Sequence, residues 1–172
     1  MKITKILKNL FKTELLLSMI FLIIPFVLPL TSGVVLGSIS AYAYAINHSI
    51  YVTLLTLGGY LIVVDGLTDK TRRYNILLGL LLISVTVFPV LAYRYLHDAV
   101  AIAFFIGNAF ILSYHSKLVP KWFKIISFVV IAVVIGAFFF GFMTLFMAES
   151  LGFLLMSAFM FMRYLKTWEP IN

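Results

Sequence analysis

Cysteine is absent from the chain, which removes disulfides, thiolate metal ligands and thiol nucleophiles from consideration. Charge is nearly as scarce. Asp, Glu, Lys and Arg make up 11% of the 172 residues, and only six side chains are acidic. A water-soluble domain of this length needs far more polar surface than that. With 63% hydrophobic residues and a mean hydropathy of +1.13, most of the chain matches lipid as its solvent. The length suits a single integral membrane domain, 1–172. The formal charge of +7 forms no nucleic-acid module, because the basic residues stand at the ends of apolar runs. There they act as membrane topology signals, so lipids are the expected partners and nucleic acid is not.

What is present is a series of apolar runs. No small-x-small cleavage site closely follows the first of them, so it is expected to be a retained span rather than a signal peptide. Ahead of it, Lys2, Lys5, Lys8 and Lys12 share one helical face opposite Ile3, Ile6, Leu7, Leu10 and Phe11, which predicts a short amphipathic helix on the membrane surface. A spanning helix needs about 20 mostly apolar residues. Six segments meet that need, approximately 14–31, 48–66, 75–93, 98–116, 122–146 and 149–166, and predict an all-α six-helix bundle. The last two should form a tight hairpin around "FMAES".

Basic residues then orient the chain. The N-terminus, the 2–3 loop with Lys70, Arg72 and Arg73, the 4–5 loop with Lys117, Lys121 and Lys124, and Arg163 and Lys166 fall on one side, leaving Arg94 on the other. By the positive-inside rule both termini are cytoplasmic, in the inner or cytoplasmic membrane of a cell. Tyrosines and tryptophans collect at both predicted boundaries, Tyr51 among the outer ones. Ala99, Ala103 and Gly107 form a small-residue stripe on the fourth span, which suits close helix packing or a homo-oligomer or membrane partner.

This topology sorts the scarce polar residues. Ser38, Ser40, Asn47 and His48 reach the outer face from the first loop, Arg94, His97 and Asp98 from the 3–4 turn, and Glu149 and Ser150 from the last hairpin. Imidazole serves as metal ligand or as general acid and base near neutral pH. His97 and His48 are therefore candidates for both roles, with Asp98 or Glu149 supplying a carboxylate. Two histidines and a carboxylate with an open position would fit a divalent metal such as zinc, the candidate cofactor. Arg94 could pair with phosphate or carboxylate, with Ser40, Ser38 and Asn47 as substrate-binding groups. The plainer alternative has Asp98 and Glu149 capping helix starts, Arg94 snorkelling to headgroups, and His97 in a wet loop. Asn108 is expected to bond across helices, Asp65 and "DKTRRYN" to form a solvated loop, and His115 to be interfacial. The uncharged segment "TSGVVLGSISAYAYAIN" is too apolar for an open loop and predicts a short helix or lid over the bundle.

Several short pieces occur in a familiar order: "SISAY", His48 before "IYV", Asn75, "FP" at Phe88 and Pro89, His97 followed by Ala101 and "FF" at Phe104 and Phe105, then Glu149. In this order the chain resembles small bacterial membrane proteins of unknown function that are similar to the Frag/DRAM/Sfk-type family, which includes factors remodelling GPI-anchor lipids. Where those relatives commonly carry arginine before the second span, this chain has His48. At the level of fold the group is distantly similar to the alkaline ceramidase and adiponectin-receptor superfamily. The last span, "ESLGFLLMSAFMFMRYL", has no histidine, so the zinc-binding H-x-x-x-H pair of that superfamily is missing. The resemblance implies a six-helix bundle with an outer polar pocket and a connection to lipids. The favoured expectation is a protein that binds or acts on a lipid or amphiphile, as a hydrolase or acyltransferase if it is an enzyme. A small transporter or channel subunit and a non-catalytic scaffold are the alternatives.

Overall fold

The computed structural model describes residues 2–114 and 120–168. His115 and Lys117 lie outside them. Among the described residues the secondary structure is entirely helical: α1 (Lys2–Ser32), α2 (His48–Thr68), α3 (Tyr74–Val87), α4 (Arg94–Tyr114), α5 (Lys121–Phe139) and α6 (Leu145–Trp168), with short 3-10 helices at Ser40–Tyr44 and Lys70–Arg72. Four helical stretches are long and apolar enough to cross a membrane: Thr13–Ser32, His48–Thr68, Lys121–Phe138 and Leu145–Leu165. α3 is apolar but has 14 residues, about 21 Å of helix, well under a hydrocarbon core. α4 has 21 residues and opens on Arg94, His97 and Asp98.

Helix ends follow local chemistry. Gly33 and Gly141 adopt φ of +74°, the left-handed conformation that ends a helix without a Cβ penalty, and they close α1 and α5. Gly141 therefore places the last hairpin turn at 140–144, earlier than "FMAES". Pro89 pushes Phe88 out of helical geometry and stops α3 at Val87, so 88–93 is a turn and not the end of a span. The separate surface helix expected over residues 1–12 is instead continuous with the first span, because nothing between Lys2 and Ser32 breaks the helix. Even Pro25 and Pro29 are carried inside it.

The helices close into a ring in which α1 packs on α2, α2 on α3, α3 on α4, α4 on α6 and α6 on α1, while α5 bridges α4 and α6 from outside. The α2–α3 seam is the tightest. A Cβ on Gly79 would sit 2.4 Å from the carbonyl oxygen of Gly59, and one on Gly66 would sit 2.7 Å from the amide nitrogen of Ile76. Only glycine lets these two backbones meet. On α4, Gly107 packs against Leu78, but Ala99 and Ala103 face outward, so the small-residue stripe is not the buried seam. α1 and α6 are joined by reciprocal bonds: the Ser18 hydroxyl donates to the Ser157 carbonyl at 3.0 Å, and the Ser157 hydroxyl donates to the Ser18 carbonyl at 2.8 Å. Within the ring, Phe21, Leu55, Leu82, Phe104 and Phe153 form the apolar core.

Loop 33–47, turn 88–93 and turn 140–144 share one end of the ring. Tyr42, fully buried, donates its hydroxyl to the Val34 carbonyl at 2.9 Å and accepts from the Leu36 amide at 3.2 Å. The Phe146 amide donates to the Gly37 carbonyl at 2.8 Å, and the Leu91 amide donates to the Tyr44 hydroxyl at 2.7 Å. The first loop thus folds over the bundle as a short 3-10 helix, in line with its uncharged sequence.

Candidate functional site

Under that loop lies a cavity of about 20 Å³, room for roughly one water molecule. Its polar lining comes from Ser40 of the loop, Tyr51 in the first turn of α2 and Glu149 in the second turn of α6. The remaining wall is apolar and includes Phe104 and Phe105 of α4 and Phe153 of α6. Their ring centroids stand 5.3 Å (104–105), 5.6 Å (105–153) and 6.4 Å (104–153) apart. Glu149 Oε2 accepts the Ile39 amide at 2.6 Å, a charge-assisted bond that pins the loop to α6. Tyr51 is 1% exposed, and its hydroxyl is buried with no hydrogen-bond partner. A buried hydroxyl left unbonded costs on the order of 1–3 kcal/mol, so this atom marks a place built for a ligand or water.

The other residues singled out by sequence fall around the cavity without lining it. Glu149 and Asp98 are each the fifth residue of their helix, so neither caps a helix start. Asp98 is exposed and does not line the cavity. His97 is buried, and its Nδ1 lies 2.7 Å from the Phe88 carbonyl oxygen. Because a carbonyl only accepts, Nδ1 carries the proton there. His48 is exposed and makes the same kind of bond to the Ala43 carbonyl at 2.7 Å. Each imidazole therefore fastens a local turn. Among the described residues no three of His, Asp or Glu come together in a group that could hold a metal ion. Arg94 is exposed. Ser38 bonds locally, to Ser40 Oγ at 3.0 Å and from the Ala41 amide at 3.1 Å. Asn47 is buried and donates from Nδ2 to the Leu28 carbonyl and to Thr31 Oγ1, both at 2.8 Å, which ties α2 to the end of α1. Asn108 donates to the Phe104 carbonyl of its own helix at 2.9 Å rather than across helices.

At the opposite end the structure corrects one expectation outright. Asp65 is 1% exposed and belongs to a buried ionic network, not a solvated loop. Its Oδ1 accepts from Arg72 Nη1 at 2.9 Å and its Oδ2 from Asn75 Nδ2 at 2.5 Å. Arg72 Nη1 also reaches Glu14 Oε1 at 3.1 Å, and Arg163 Nη2 lies 2.6 Å from that same oxygen. Arg163 additionally sits over the Phe159 ring at 5.6 Å, within cation–π range. Asp69 closes the network, 3.0 Å from Arg72 Nε. Burial would raise the Asp69 carboxyl, but two bonds from Thr71 and the Arg72 guanidinium outweigh it and hold it below the usual carboxylate range. Arg72 is pulled down by burial and pushed up further by Asp65, Glu14 and Asp69, so its proton is held more tightly than usual. Three carboxylates and two guanidiniums thus clamp α1, α2, the Lys70–Arg72 turn and α6. The clue in the sequence was the run Asp65, Asp69, Arg72, Asn75 at three- and four-residue steps, with Glu14 as the one acid near the first span.

A family of unknown function (DUF7103) matches residues 23–164. The chain belongs to that family. The matched range includes Ser40, Tyr51 and Glu149 at the cavity and Asp65, Arg72 and Arg163 in the clamp, while Glu14 precedes it. No match to the chain is found among curated proteins or among solved structures.

Proposed function

We propose that the chain is a six-span protein of the inner or cytoplasmic membrane, with both termini cytoplasmic, whose outer-end cavity receives the polar end of a lipid or other amphiphile. The observation that carries this reading is the Tyr51 hydroxyl, buried and unbonded in a cavity that also holds the Glu149 carboxylate. Small-molecule sites are mostly apolar pockets with a few convergent polar groups, and this cavity has that make-up. The neighbouring loop, fastened by Glu149 through one backbone amide, is the element that would admit or shut out the ligand. The resemblance to the Frag/DRAM/Sfk-type family, which includes factors remodelling GPI-anchor lipids, points the same way.

The arrangement supports binding better than bond-making. Ser40 Oγ is engaged with Ser38, and neither His48 nor His97 lines the cavity to activate it. Six spans rest on the distribution of basic residues, which requires α3 and α4, joined by the turn 88–93, to cross as a pair, α3 as a short span in a locally thinned bilayer. The outward-facing Ala99 and Ala103 of α4 would be the surface for a second copy or a membrane partner.

Purification in a mild detergent followed by mass spectrometry of retained lipids tests the reading. The wild type is expected to carry a reproducible amphiphile that Tyr51→Phe and Glu149→Gln largely lose while still folding. The same lipid content in all three proteins would contradict it.

A further inference from the structure

We infer that the polar group taken into the cavity is a primary ammonium, so the ligand is an amine-bearing amphiphile. The inference rests on the binding reading above and narrows it. A primary ammonium offers three N–H donors and no acceptor. The cavity meets it with three oxygen-bearing side chains: the Glu149 carboxylate, the Tyr51 hydroxyl and the Ser40 hydroxyl. One carboxylate oxygen accepts the Ile39 amide, which leaves the group ample acceptor capacity. Tyr51 Oη has no partner at all. Ser40 Oγ can donate to Ser38 and still accept from a ligand.

Charge and shape agree with this. Glu149 is the one carboxyl group in the lining, and no lysine or arginine is among the lining residues. An anionic headgroup would find no cation to pair with there. Phe104, Phe105 and Phe153 line the same cavity as the acid, and aromatic rings are a surface a desolvated cation prefers. Size completes the selection. A cavity of about 20 Å³ takes a water-sized group, which an –NH3⁺ is, whereas a trimethylammonium or a phosphate is much larger. A hydroxyl would fit the space but brings one donor to three acceptors and no charge to balance the carboxylate.

The test uses full-length protein in a neutral maltoside detergent, titrated with n-octylammonium, 1-octanol and octyltrimethylammonium, with binding read by calorimetry and thermal unfolding. Octylammonium is expected to bind at least about tenfold tighter than the other two, a margin that charge-assisted and cation–π contacts supply. Glu149→Gln should erase that preference. The amide oxygen can still accept the Ile39 amide, so the loop stays pinned and the variant should fold. Tyr51→Phe is the second variant and should weaken octylammonium several-fold with an unchanged melting profile. Competition by nanodiscs containing phosphatidylethanolamine, but not phosphatidylcholine, would support the assignment and make the source a lipid headgroup. Octylammonium binding that neither nanodisc displaces would support it with a soluble amine as the source. Octanol or octyltrimethylammonium binding as tightly as octylammonium would overturn the ammonium assignment and leave the pocket standing. Failure of all three to bind would overturn both.

Discussion

Glu14 faces two guanidinium groups through one oxygen, and it is 2% exposed. Buried pairs of this kind are weak sources of net stability, but breaking one by removing a single partner is costly because the survivor stays buried. Glu14→Leu should therefore destabilise the protein by roughly 3–5 kcal/mol, measured by reversible unfolding in mixed micelles. Adding Arg163→Met should restore part of that loss, since Arg72 keeps Asp65 and Asp69. Additive losses would show that the residues act independently. Asp69 gives a pH signature with a definite sign. Its carboxyl titrates below the unfolded value of about 3.9, so its contribution is complete above that value and disappears as pH falls through the folded one. The Asp69 contribution to the melting temperature, read as the difference between wild type and Asp69→Asn, should be constant from neutral pH down to about 5 and then shrink. That contribution should be no more than about 1 kcal/mol for a partly exposed pair. At this scale the sequence was half legible. Glu149 and Ser40 stood out as polar residues that the topology places on the outer face, Glu149 the more so because only six side chains of the chain are acidic. Tyr51 did not, because a tyrosine near a membrane boundary reads as part of an aromatic belt whether it faces lipid or cavity. Arg72 and Arg163 were hidden for a similar reason: basic residues at span ends serve as topology signals, and nothing in their spacing shows that Glu14 folds back between them.

Among the elements, the α2–α3 pair depends on backbone contact. Gly79→Ala would drive a methyl into the Gly59 carbonyl, which is backbone and cannot swing aside. Destabilisation of about 1–3 kcal/mol is expected. Gly136→Ala on α5 is the matched control: nothing lies within 4 Å of its Cβ position, and alanine favours helix by roughly 0.5–1 kcal/mol. It should be neutral or stabilising in the same unfolding assay. The reverse order would contradict the packing. Helix type and approximate place were plain from the apolar runs, because lipid demands long hydrogen-bonded segments. Boundaries were less so. The run from Trp122 to Leu165 has no charge between Lys124 and Glu149, so polarity pointed to Glu149 as the turn, whereas the backbone turns where Gly141 can adopt positive φ. The tightest seam was also misplaced, since three small residues at four-residue spacing on α4 resemble a packing motif, and the glycines of α2 and α3 meet only once the helices are paired.

For the molecule as a whole, the two ends have opposite designs. One is locked by the buried ionic clamp across α1, α2 and α6, and the other is covered by a loop held through the Gly37 carbonyl and the Ile39 amide. That asymmetry suits the proposed binding role, with the bundle rigid at the clamp and adaptable over the cavity. The missing cysteines make the orientation easy to check. Val35→Cys and Tyr95→Cys should react with a membrane-impermeant maleimide on intact cells, while Lys70→Cys and Lys121→Cys should react only after lysis; all four sites are exposed. Labelling of Lys70→Cys on intact cells would invert the topology. The binding claim is tested most directly by a crystal structure grown from a lipidic mesophase that contains the native lipids. The expected result is density between the Glu149 carboxylate and the Tyr51 hydroxyl that continues into an acyl chain. A dry, sealed cavity with Tyr51 bonded to its own protein would contradict it.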